Sequence, residues 1–379
     1  MRRALTLVYV SSFAALTSFY LMLGITPLYA ISGGQAELGG ALTTTVFMLA
    51  TVAAELVTTD LMRRIGQQAT LAIGIVLLGL PAFALLISDA LALILAVSAI
   101  RGAGFALVII AGGAMVASLT DESRHGRGLA LYGIAVGIPS IVALPFGVWL
   151  VEQVGFAPLF VVSGVVAVLG VLVPLVRIEI PRPDEVHGLV RTLRKPGVLR
   201  LAIVFGATTL AAGVFLTWAP ITGGDAHGSL IAALALLAFG LASTITRWVA
   251  GRIGDRTSPT VLLVPGLLIL GAGLALTALV PGAILPGSLV LGAGLGLIQN
   301  ATLQLMMKSA GASGYGAASA IWNIAYDIGL AVGAFGFGLL AATYGLSLLV
   351  SAALVASAIA VLAFWRSPAS SASSQVTRG

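Results

Sequence analysis

Long apolar runs alternate with short polar breaks along the whole chain. Twelve runs stand out, over 4–31, 39–61, 69–88, 91–117, 128–151, 157–177, 198–219, 227–250, 260–281, 284–307, 314–340 and 343–365. Most reach the roughly 20 residues that a helix needs to cross a hydrocarbon core. Within a run, apolar residues occupy every side of a helix, which marks a membrane span rather than the flank of a soluble bundle. The one long polar interior stretch, 178–197, divides the runs six and six, and Pro181 and Pro183 stiffen its start. The pattern predicts an all-α integral membrane protein of twelve transmembrane helices. Its expected parts are a six-helix half over 1–177, a linker over 178–197, a second half over 198–365 and a Ser-rich, disordered tail over 366–379.

Basic residues orient these spans. With the N-terminus in the cytoplasm, every Lys and Arg except Arg101 falls in, or at the edge of, a cytoplasmic break or terminus. Basic residues resist translocation, so both termini are expected in the cytoplasm. Trp149, Trp218, Trp248 and Trp365 lie at span ends, where an amphipathic indole prefers the interface, whereas Trp322 lies inside the eleventh span. Met1-Arg2-Arg3 before an apolar run resembles a signal peptide, but the run is long enough to span, and removing it would reverse the charge pattern. The surplus of Arg over Lys fits a GC-rich bacterial genome and therefore a cell inner membrane.

Composition narrows the chemistry. The chain is 59% hydrophobic and 8% charged, with mean hydropathy +1.11. Its net charge of +6 is spread over loops rather than gathered in a patch, so a nucleic-acid partner is not expected. There is no cysteine, and His125, His187 and His227 sit in separate breaks, which argues against thiolate chemistry and a metal centre. A Gly-x-x-x-x-Gly-Lys-Ser/Thr phosphate loop is missing, so an ion gradient is the natural energy source and no cofactor is expected.

Polar residues are unevenly shared among the spans. Between their ends the third, sixth, ninth and twelfth carry no charge, Asn or Gln, so these can face lipid. Elsewhere lie Ser11, Ser12, Thr17, Ser18 and Tyr20 in the first span, Glu55 in the second and Arg101 in the fourth. Thr208, Thr209 and Thr217 are in the seventh, Gln299, Asn300 and Gln304 in the tenth, and Asn323, Tyr326 and Asp327 in the eleventh. A period of three in lipid-facing character implies a ring of helices around a polar interior. Polar residues that only join helices would give some of the same pattern.

The second break of each half is a short basic turn, Arg63-Arg64-Ile65-Gly66 in one and Gly251-Arg252-Ile253-Gly254-Asp255-Arg256 in the other. The latter resembles the cytoplasmic loop motif G-x-L-x-D-R-x-G-R of the major facilitator superfamily, departing at Ser258 and Pro259. In the former, Arg63 stands where the motif has Asp and Thr59 where it has its first Gly. Arg101-Gly-Ala-Gly104 is similar to the family's R-x-x-x-G pattern shortened by one residue. Gly133-Ile-Ala-Val-Gly137-Ile-Pro139 resembles its antiporter motif with the proline one place late. The resemblance covers essentially the whole chain and is nearest to the drug and metabolite efflux branch. It implies two pseudo-symmetric halves and alternating access to a central cavity.

Several residues could carry such a function. Asp327, near mid-span, is the leading proton site, because an ionised carboxylate there costs roughly 2.5–3.5 kcal/mol. Arg101 is its expected electrostatic partner or relay, a helix-packing salt bridge being the alternative. Glu55, about 12 Å along its helix from Arg63, either titrates or holds a loop cation. Trp322, Asn323, Tyr326, Gln299, Asn300, Gln304 and Tyr20 could form an amphipathic substrate pocket. Arg63, Arg64, Gly66, Arg247, Gly251, Asp255 and Arg256 would govern the cytoplasmic gate, with ion pairs from Asp60 and Asp255 to loop arginines. The expected function is proton-coupled export of a small amphipathic molecule by a monomer in the lipid bilayer. Proton-coupled uptake of a metabolite or sugar is the alternative. An intramembrane lipid-modifying enzyme would need a nucleophile or metal cluster that the sequence does not offer.

Overall fold

The computed structural model describes residues 2–120, 125–171, 189–221, 226–311 and 315–344, and all regular structure among them is helical. The helices are α1 (Arg2–Ser32), α2 (Glu37–Ile65), α3 (Gln67–Gly79), α4 (Leu91–Ser118), α5 (His125–Val154) and α6 (Phe156–Val171). After a five-residue helix α7 (Leu189–Leu193) follow α8 (Pro196–Ile221), α9 (Ala226–Arg256), α10 (Leu263–Leu279), α11 (Ile284–Ala310) and α12 (Tyr315–Tyr344).

Ten segments among the described residues are long and apolar enough to cross a membrane, and they coincide with ten of the twelve expected spans. The sixth expected span appears as the shorter apolar helix α6, and 172–177 lie outside the described residues. The twelfth, over 343–365, lies outside them too except for its first two residues, and so do most of the linker and the tail.

Two local departures have clear causes. The third span changes from α-helix to a 3-10 stretch over Leu80–Leu86, where Pro81 interrupts the hydrogen-bond ladder. The Gly251–Arg256 segment, expected as a turn, is the last part of α9, which continues to Arg256. No strong helix breaker precedes Pro259, and Ser258 then caps a short 3-10 helix over Pro259–Leu262. By contrast α2 does end at its basic turn. Gly66 has φ 89°, a left-handed conformation suited to glycine, and its N–H donates to Met62 O at 2.9 Å.

The packing of the second set of helices repeats that of the first. In the first, α2 and α3 both pack on α4, and α1 packs on α5. In the second, α9 and α10 both pack on α11, and α8 packs on α12. The repeat extends to atoms. A Cβ on Gly102 would strike the Phe47 carbonyl where α4 crosses α2, and one on Gly292 would strike the Phe239 carbonyl where α11 crosses α9. Beside these crossings Thr51 Oγ1 donates to Gly102 O at 3.0 Å and Thr246 Oγ1 to Ala293 O at 2.9 Å. Small residues and hydroxyls that bond backbone carbonyls are how membrane helices come close without water. The two sets meet chiefly through α2 on α12 and α5 on α9, and buried residues from both form one continuous apolar core.

Candidate functional site

Polar and aromatic side chains converge where α1, α8, α9 and α12 meet. Trp322 is 7% exposed. Its ring stacks on Phe205 of α8 with centroids 4.4 Å apart, and Tyr326 continues the stack at 6.1 Å from Trp322. The indole N–H donates to Thr302 Oγ1 of α11 at 3.1 Å, which satisfies the polar edge of a buried ring. Arg247 of α9 places its guanidinium carbon 5.7 Å from the Trp322 ring centroid, within cation–π range.

Tyr20 of α1 joins this cluster. It lies within electrostatic reach of Arg247 and of Asp327, and its hydroxyl faces the Ser140 hydroxyl of α5. Tyr326 is within reach of Tyr20, Asp327 and Arg247. Asp327 itself is 4% exposed, midway along α12, and within electrostatic range of Glu55 on α2. One carboxylate oxygen of Glu55, Oε2, is buried and accepts no hydrogen bond among the described residues. The structure thus brings together Tyr20, Trp322, Tyr326, Asp327 and Glu55, all singled out from sequence.

Other expected members sit elsewhere. Arg101 is 3% exposed and donates from Nη2 to Ser18 O at 3.1 Å and from Nη1 to Leu78 O. It lies at one side of a small recess formed by Phe19, Thr43, Thr44, Phe47 and Ser98. Its guanidinium therefore ties α4 to α1 and α3, and the expected pairing with Asp327 is replaced by bonds to backbone carbonyls. Asn300 and Gln304 bond each other at 2.7 Å and pack where Gly251 and Gly254 leave room on α9, so they serve helix contact rather than a pocket. Gln299 is buried on α11, and Asn323 is half-buried one turn before Asp327.

The gate residues also resolve differently. Arg63 and Arg64 are exposed at the end of α2, and Arg63 pairs with Asp60 of its own helix at 2.5 Å. Arg256 is exposed at the end of α9, and the Asp255 side chain lies outside the described residues. Arg247, expected at the gate, instead reaches the aromatic stack. Sequence reasoning missed Phe205, an ordinary apolar residue in an apolar span with no local signal of its role.

The sequence profile of the Major Facilitator Superfamily matches residues 5–334. The chain belongs to the major facilitator superfamily. It is thus a multi-pass membrane transporter rather than an enzyme. Solved structures share the fold of this superfamily member. An auto-inhibited POT family peptide transporter superposes with a TM-score of 0.79 at 14% identity, covering 96% of this chain and 97% of that one. A POT peptide transporter in complex with sulfate gives 0.76 at 15% identity, covering 96% and 94%. A bacterial homologue of the human lysosomal transporter Spinster, inward-facing and unoccupied, gives 0.69 at 13% identity, covering 95% and 94%. No curated protein sequence matches the chain.

Proposed function

We propose that this transporter exports a small amphipathic molecule in exchange for protons, through alternating access between two six-helix halves, with Asp327 as the proton site. The observation that carries the reading is the placement of Asp327. It is a buried carboxyl on α12, one of the helices that join the two sets, within range of a Glu55 oxygen that lacks a donor on α2. Intramembrane carboxyls are energetically costly and are kept where ions or substrates pass. A carboxyl at such a junction can take up a proton from one side and yield it to the other once rearrangement of α2 and α12 changes its access to water. Tyr20 and Tyr326 offer hydroxyls beside it. The repeated helix pairing supports the two-halves arrangement. The charge asymmetry supports cytoplasmic termini in a cell inner membrane, and nothing in the mechanism needs more than a monomer.

Reconstituted liposomes with an internal pH dye and a substrate panel test this. Wild type is expected to move protons when substrate is added, and Asp327→Asn to fall to background while still binding substrate. Equal flux in both would remove Asp327 from the mechanism. Export further predicts proton-driven accumulation in inside-out vesicles. Accumulation in right-side-out vesicles instead would mean uptake.

A further inference from the structure

Among the described residues Arg247 is a cation without an ion-pair partner. It is exposed, yet its guanidinium lies over the buried Trp322 ring and within electrostatic reach of Tyr20 and Tyr326. Among the described residues it makes no ion pair and no hydrogen bond, so the ring face is its one recorded partner. A cation at membrane depth normally pairs with an acid or with carbonyls, as Arg101 does. The carboxyls of Asp327 and Glu55 lie within electrostatic range of each other, and among the described residues neither forms an ion pair with Arg247. Five donors in a planar fork are therefore held in place, accessible and unspent, beside two half-buried tyrosine rings.

We infer that Arg247 is the head-group site for an anionic substrate, a compact monoanion such as a carboxylate on a flat apolar body, with that body against Tyr20 and Tyr326. The inference rests on the transport reading above and names the substrate class for the same site. Trp322 is a positioning residue here. Fixed by Phe205 on one side and by Thr302 at its N–H, it offers the guanidinium a rigid aromatic face, so the fork is pre-oriented before a ligand arrives. Carboxylate recognition by a guanidinium is bidentate and charge-assisted, whereas a neutral amide gains only ordinary hydrogen bonds and an amine is repelled.

The test uses the full chain in lipid nanodiscs with three probes of one shape: naphthoate, naphthamide and naphthylmethylamine. Binding is read by titration calorimetry. Naphthoate is expected to bind at least about 10-fold more tightly than the other two, the effect of one charge-assisted contact. Arg247→Gln should abolish that preference, and Arg247→Lys should keep part of it. Should Arg247→Gln fail to fold, the ranking of the three probes on wild type decides. An amide or amine that binds as well as the acid, or a preference that survives Arg247→Gln, overturns the inference. The two readings fail separately. Tight amine binding with Asp327-dependent proton flux removes the anion site and keeps the coupling. Naphthoate binding with flux unchanged in Asp327→Asn does the reverse.

Discussion

Arg101 shows how much one side chain can organise. Pro81 has no N–H to offer the carbonyls one turn before it, and Arg101 donates to one of these, Leu78 O, while also holding Ser18 O. With no water in the core, an unmet carbonyl there is costly, about 1–3 kcal/mol. Arg101→Leu is expected to lower the unfolding temperature in detergent clearly. Arg101→Lys should be intermediate, because one ammonium cannot match the spread of a guanidinium fork. Unchanged unfolding in Arg101→Leu would show that these two bonds contribute nothing. The burial of Arg101 was readable from its place inside an apolar run. Its partners were not, since backbone carbonyls carry no label in a sequence and the nearest acid in depth, Asp327, looked the natural choice. Arg247 posed the opposite problem. Three residues from a span end it reads as a loop cation, and only the approach of α12 to α9 shows the ring beneath it.

Between helices, glycine sets the spacing. Gly102 lies against the Phe47 carbonyl and Gly292 against that of Phe239, so α4 on α2 and α11 on α9 are crossings of backbone on backbone. A carbonyl cannot turn away as a side-chain tip can. Gly102→Ala should therefore force the helices apart at a cost of about 1–3 kcal/mol. Gly133→Ala is the control. Nothing lies within 4 Å of its added carbon, and it should be neutral or stabilise α5 by up to about 1 kcal/mol. Equal unfolding temperatures for the two variants would refute the crossing argument. Glycine is plentiful in the later spans, which favours close packing, but composition does not say which glycines stand at crossings. It also mistook Gly251 and Gly254 for a turn. Both are inside α9, where Asn300 and Gln304 of α11 lie against them.

For the molecule as a whole, the junction between α2 and α12 is decisive. It includes the Asp327–Glu55 pair and, in the first half of α2 and the second half of α12, two closer contacts. Thr45 Oγ1 approaches Ala331 O at 3.4 Å, and an added carbon on Gly338 would lie 2.6 Å from Ala41 Cβ. The chain has no cysteine, so a single pair can be introduced cleanly. The added Gly338 carbon is closer to Ala41 Cβ than the roughly 3.5–4.5 Å between the Cβ atoms of a disulfide, so the helices must ease apart by about 1 Å. Ala41→Cys with Gly338→Cys should then form a disulfide under mild oxidation and stop transport, with recovery on reduction. Full activity of the cross-linked protein would mean that this junction never opens. Ten of the expected spans and the basic turn after α2 were legible because hydropathy and charge act locally along the chain. The meeting of Tyr20, Arg247, Trp322 and Asp327 was not, because it joins residues up to 307 positions apart (Tyr20 to Asp327).

The Trp322 ring has one last mechanical consequence. Its N–H is tied to α11, its face to α8, and its stem belongs to α12. A turn of α12 about its own axis would have to break that tie or drag both neighbours along. The indole acts as a pin through three helices, so they travel as a block, and whatever closes around cargo closes by the swing of that block rather than by the roll of one rod.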